Sequence, residues 1–265
     1  MNRIDDPKSK IKEWLSTQGY PLEMKVAAAF RKAGFEVIQS HYYIDPENNN
    51  YREIDVVAIM PDPKLSGVID ISFVVECKTS KKKPWLLFSS DRILERWNIL
   101  FSYCINSDRT REALIKKGFD RIKKLLWMNK KGRIAYGLTQ AFTSGDDITY
   151  KAAISVLKAT ISRKKQLEKR IPAPFMFIFP VIIIEGQLFE CFLSDKGQLS
   201  IIEFENGFFH FPFSIADEPG TCIHILSSNK LTDLCSQAKN VSNTLLSLLQ
   251  NDIDRRLELL SRNII

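Results

Sequence analysis

At 265 residues with 45% hydrophobic content, the chain can bury one substantial core, or one core and an appended lobe, as a soluble globular protein. Its five cysteines (Cys77, Cys104, Cys191, Cys222, Cys235) form no close-spaced pair and its histidines (His41, His210, His224) make no zinc pattern. This argues against a disulfide framework or a zinc site and predicts a reducing cytoplasm. The net charge of +7 favours an anionic partner, and the early acids Asp5 and Asp6, with no apolar run beside them, argue against an export leader.

In chain order, a first helix is predicted over about 6–18. A second covers Tyr20 to Gly34, with Pro21 near its start, Gly34 past its end, and Glu23 in its first turn on one face with Ala27 and Phe30. A strand follows over roughly Glu36 to Tyr43, and Asp45-Pro46-Glu47-Asn48-Asn49-Asn50 reads as a turn. Two apolar runs come next. The first, Ile54 to Ile59, carries one acid, Asp55; the second, Ile71 to Val75, ends on Glu76-Cys77-Lys78. The stretch from Pro61 to Gly67 between them reads as the loop of an antiparallel hairpin.

Charged groups at the rim of two neighbouring buried strands need a partner to offset their desolvation. Alternation places Val74, Glu76 and Lys78 on one face and Phe73, Val75 and Cys77 on the other, while Glu53, Asp55, Val57 and Ile59 share a face of the first strand. Asp55 and Glu76 meet only if paired numbers sum to an odd value, as with 55 opposite 76, a register that also sets Glu53 across from Lys78; a slip of one residue separates the carboxylates. Two converging carboxylates, with the backbone carbonyl of Cys77, supply the hard oxygen ligands that Mg2+ or Mn2+ prefers. Lys78 would place an ammonium at the attacking water or at a pentavalent phosphate, the chemistry of phosphodiester hydrolysis. The structural alternative is a same-face Glu76–Lys78 pair with Glu53 as cross-strand partner, stabilising by roughly 0.2–1 kcal/mol.

These segments resemble the PD-(D/E)xK nuclease superfamily, the restriction-endonuclease-like fold that includes Holliday-junction resolvases and methyl-directed restriction proteins. The resemblance covers Pro21 to Lys78 and, beyond it, a later helix and strand. It departs from the family pattern in having Ile54 where the name-giving proline would stand, and a long spacing from Asp55 to Glu76. What it implies is an α/β fold with an α-β-β-β-α-β core and a mixed sheet, and a site built from Glu23, Asp55, Glu76 and Lys78. Glu23 alone could equally be a helix N-terminal carboxylate.

Downstream, Lys81-Lys82-Lys83 opens the basic middle of the chain. Residues 81–133 carry fifteen Lys/Arg against five Asp/Glu, whereas 1–80 carry ten against twelve. That is where a nuclease would hold a phosphate backbone, the alternative being a solvated charge run. After Pro84 to Phe88, amphipathic helices over about 91–105 and 109–129, carrying Trp97 and Trp127, form a helical insertion placed at about 84–133. A helix over Asp146 to Lys169 would cross over to the apolar strand Phe175 to Ile184, which contains Pro180 and is too short to span a bilayer. Gln140 is a further candidate site residue by the same resemblance. From Gln187 the pattern turns to strands over Leu188–Leu193, Leu199–Phe204 and Cys222–Leu226, then a helix over about 231–262 that covers this sheet or pairs with a second subunit.

The organisation read from the chain is therefore a nuclease-like core over 1–184 and a C-terminal β-hairpin and helix extension over 185–265. The expected activity is metal-dependent cleavage of nucleic acid, DNA in the first instance, in restriction, repair or defence, with Lys81, Lys82 and Lys83 on the phosphates, no membrane partner and a homodimer as one possible assembly. The alternatives are an RNA nuclease using the same site and an inactive member of the fold that binds nucleic acid or a partner protein. No Gly-Lys-Ser/Thr phosphate loop is present, so no NTP-driven motor is encoded.

Overall fold

The computed structural model describes residues 6–16, 18–61, 67–90, 103–117, 133–143, 147–212, 214–218 and 220–262. Helix α1 (Pro7–Leu15) is capped by Asp6, and α2 (Tyr20–Lys32) starts with proline in its first turn. An antiparallel meander follows: β1 (Glu36–Ile44), β2 (Tyr51–Ile59) and β3 (Ile69–Ser90). Of the hairpin loop between β2 and β3, residues 62–66 lie outside the described residues. After α3 (Asp108–Lys117) and β4 (Ile134–Gln140), helix α4 (Ile148–Glu168), capped by Asp147, leads to β5 (Phe175–Leu193), parallel to β3. The chain ends with β6 (Leu199–Glu203), β7 (Asn206–Phe211), β8 (Thr221–Ser227) and α5 (Leu231–Arg262). The protein is thus mixed α/β, with an eight-stranded sheet ordered β1-β2-β3-β4-β7-β8-β5-β6 and a further β3–β5 pairing.

Helices cover both faces of this sheet, which is why β3 over Ile71–Cys77 and β5 over Phe175–Ile184 are buried throughout rather than alternating. On one side, Leu22, Val26, Ala27 and Phe30 of α2 and Leu234, Ala238, Val241, Leu245 and Leu249 of α5 pack on Val56, Phe73, Val75 and Cys77. Phe73 stacks on Phe179 with centroids 4.9 Å apart. On the other, Ala152, Ala153, Val156 and Ala159 of α4 pack on Val57, Val74, Ile178 and Ile182. The small residues along α4 let it approach the sheet closely. The C-terminal helix therefore packs within its own chain, one of the two arrangements its apolar stripe allows. No helix among the described residues is long and apolar enough to cross a membrane.

Two expectations are corrected. Residues 84–90, assigned to the helical insertion, are strand, because β3 continues through the lysine run to Ser90. The strand expected to stop at Ile184 runs on to Leu193, merging with the segment assigned to a separate hairpin strand. The helix over 109–129 is described only as α3, while most of the helix over 91–105 lies outside the described residues, together with Trp97 and Trp127; within it, Ile105 bridges Ile178.

Candidate active site

The register of β2 and β3 has the odd sum required: Val56 pairs with Val75 and Val57 with Val74. The ladder ends at Val56–Val75, so Asp55 and Glu76 occupy the next positions, where the strands splay. Across β1 the ladder is also interrupted at this level. Gln39 pairs with Val56 and His41 with Ile54, while Ser40, between them and across from Asp55, has a positive φ of 49°. Asp55 is thereby freed from regular pairing on both sides, and its Oδ2 accepts the Cys77 N–H at 2.6 Å. Glu53 does not pair with Lys78, contrary to the extrapolated register; it is exposed, opposite Tyr42.

Glu76 is clamped through both oxygens. The Lys78 ammonium lies 2.5 Å from Oε1, and Ser155 of α4 donates to Oε2 at 3.1 Å. Ser155 is held in turn, since the Tyr43 hydroxyl donates to its carbonyl at 3.3 Å. Sequence reasoning missed Ser155, since nothing in the pattern of α4 sets its hydroxyl apart from those of Thr149, Thr160 and Ser162.

The electrostatics show an excess of negative charge. Burial raises the pKa of Asp55, only partly offset by the Cys77 N–H and Lys78. Burial likewise raises Glu76 against the pull of Lys78, with Asp55 adding to the rise. Glu23, on the facing turn of α2, is pushed up to about 7, first by burial and then by Asp55 and Glu53. Burial works against the Lys78 charge, but Glu76 and Asp55 outweigh it and hold the ammonium above its ordinary value. The structure thus brings Asp55, Glu76 and Lys78 together with Glu23 at their margin, and turns the Cys77 side chain into the opposite core.

Lys81–Lys83 occupy a bulge. Pairing of β3 with β5 runs to Ser80–Gly186 and resumes at Trp85–Leu188, so 81–84 loop out opposite Gln187. Ser80 Oγ donates to Lys83 O at 2.5 Å and accepts from Gln140 Nε2 at 2.7 Å, while Ala141 N–H donates to Pro84 O at 2.9 Å. Gln140 therefore braces the neck of the bulge. Lys82 and Lys83 are exposed, whereas Lys81 donates to the Ser16 carbonyl at 3.2 Å and pairs with Glu185 at 3.3 Å. The closure also depends on Gly186, where a Cβ would fall 2.4 Å from Ser80 O. Because that neighbour is backbone, Gly186→Ala should destabilise by roughly 1–3 kcal/mol; an unchanged urea midpoint would show that the two strands can part at no cost.

The donor set is all oxygen and carries uncompensated negative charge, which suits a hard divalent cation. Among the described residues no three His, Cys, Asp or Glu side chains are gathered closely enough to form a ready-made cage. Mg2+ is usually bound without one, through one or two carboxylates together with waters and substrate phosphate, so Asp55 and Glu76 fit that mode. Among known proteins, no family model, curated protein or solved structure matches the chain.

Proposed function

We propose that the protein is a metal-dependent nuclease, with DNA as its expected substrate. One observation carries this reading: Asp55 and Glu76 converge with Lys78 where the pairing of β2 with β3 ends, and burial, with Asp55 adding to it, raises the pKa of Glu76. The order α2-β1-β2-β3-α4-β5, with α3 and β4 intervening between β3 and α4 and with β5 parallel to β3, supports reading this part of the sheet as a restriction-endonuclease-like core. A bound Mg2+ or Mn2+ would be held by Asp55, Glu76 and the Cys77 backbone carbonyl, and would supply Lewis-acid stabilisation of the phosphate charge. Lys78 orients the attacking water, and Glu23 reaches the site directly or through water.

Purified protein should cleave in Mg2+ or Mn2+ and fall silent in chelator, measured on plasmid, linear duplex, branched DNA and RNA. Cleavage of RNA alone would change the substrate and keep the site. A second reading, an inactive member of the fold that binds nucleic acid or a protein, is favoured by the prior engagement of both Glu76 oxygens. Nucleic-acid binding with no metal-dependent cleavage of any of the four substrates would establish it over the nuclease.

The lysine bulge supplies the phosphate contacts. Replacing Lys82 and Lys83 with Ala should weaken binding about equally across sequences and lower the salt slope by about 1 for each phosphate no longer neutralised. Lys81→Ala should change binding less, since that ammonium is engaged by Glu185 and Ser16. An unaltered slope in the double variant would reassign the bulge to a solvated turn.

A further inference from the structure

Resting on the reading of Asp55 and Glu76 as ion ligands, we propose that Lys78 and the divalent ion compete for one oxygen, Oε1 of Glu76. On this view Lys78 lowers ion affinity even though cleavage requires it. The ammonium stands 2.5 Å from Oε1 while Ser155 holds Oε2 at 3.1 Å, so the carboxylate is oriented with Oε1 toward the lysine, and an ion taking Oε1 would meet that charge. Ser155 is itself held in place. Tyr43 binds its carbonyl, and Lys158, one turn further along α4, is tied to Asp45 at 2.9 Å and Glu47 at 2.7 Å.

An ion ligated by Oε1 would sit about 2.0–2.1 Å from it if Mg2+, within close range of the ammonium, and two cations so near each other in a partly buried site repel strongly. Of the two groups already there, Lys78 has room to leave. Its side chain is 30% exposed, against 7% for Glu76. Ion loading therefore transfers the ammonium from Glu76 to the rim, where attacking water and phosphate would meet it, and the same lysine serves as placeholder and then as positioning group.

The test is Mn2+ titration by calorimetry without nucleic acid, on wild type, Lys78→Met and Ser155→Ala, with folding checked by circular dichroism. Lys78→Met should bind Mn2+ roughly tenfold tighter, the factor expected when a charge-assisted hydrogen bond to the ligand is removed, while losing cleavage. Ser155→Ala should bind about tenfold weaker, as when a group orienting a ligand is lost. If Lys78→Met does not fold, Lys78→Gln keeps a donor without the charge and should tighten binding by a smaller factor. Wild type that binds Mn2+ while the Lys78 variant binds equally or more weakly overturns the competition and leaves the ion-site reading standing. Tightening in Ser155→Ala equal to that in Lys78→Met overturns the role given to the lysine charge. No Mn2+ binding by any of the three overturns both.

Discussion

Asp55→Asn and Lys78→Ala should each cut cleavage about 10²-fold or more while leaving the protein folded, the scale seen when a group stabilising transition-state charge is lost. Asp55 is half-buried, and among the described residues it accepts the Cys77 N–H, which an amide oxygen can also do. What the substitution removes is the charge, and an amide is a poorer ligand for Mg2+ or Mn2+ than a carboxylate. Because burial disfavours the Asp55 carboxylate, removing the charge should leave the melting temperature unchanged or higher. A variant more stable and less active is the signature of a residue kept for chemistry. Lys78 lies at the rim, so its truncation opens no core cavity. If Lys78→Ala unfolds the protein while activity per folded molecule is unchanged, Glu76 and Lys78 are a structural ion pair and the nuclease reading fails.

The parts of this site legible in the sequence are those where one strong rule acts alone. An acid inside Ile54–Ile59 and the Glu76–Lys78 triplet after Ile71–Val75 break apolar runs that otherwise demand burial, and period-two alternation then permits only odd registers; Val56–Val75 is one. Pro21 and Gly34 bracket α2 for steric reasons that need no tertiary context. Legibility fails where tertiary structure overrides local character. Three successive lysines read as the end of a strand, yet β3 passes through them by extruding 81–84 into a bulge that Ser80, Gln140 and Gly186 close from distant parts of the chain. The apolar run likewise reads as ending at Ile184, but β5 continues past Glu185 because β3 offers a partner on the far side of the bulge. The strand β4 carries little signal of its own, since Gly137 and its short length weaken any local pattern. Ser155 is illegible for a related reason: its function exists only once α4 is laid over Glu76.

Lys158→Met should destabilise the protein by about 3–5 kcal/mol at neutral pH, the cost of stranding a buried charge. Asp45, in the turn between β1 and β2, is 2% exposed, and Lys158 reaches it at 2.9 Å from the face of α4. The value should fall toward the lower end of that range, because the Glu47 N–H still donates to Asp45 at 3.0 Å and Arg52 stands 3.9 Å away. Burial alone would raise the Asp45 pKa, but the Glu47 N–H and the Lys158 ammonium together hold it below its ordinary 3.8. A depressed carboxyl contributes stability that is present above the unfolded value and lost as pH falls through the folded one. Lys158 has the opposite sign: burial opposes its charge, Glu47 and Asp45 outweigh that and raise it above 10.5, so its share is lost only as pH rises beyond that value. The gap between wild type and Lys158→Met should therefore be full from about pH 5 to 9 and close below the depressed Asp45 value. Urea unfolding at pH 7 and pH 3 measures it; a gap under about 1 kcal/mol at pH 7, or one that persists undiminished at pH 3, would refute the pair as the anchor of α4. Activity provides a second readout, because the same helix carries Ser155 to Glu76. Loosening α4 should weaken Mn2+ binding even in the fraction that remains folded, with Asp55 and Lys78 untouched.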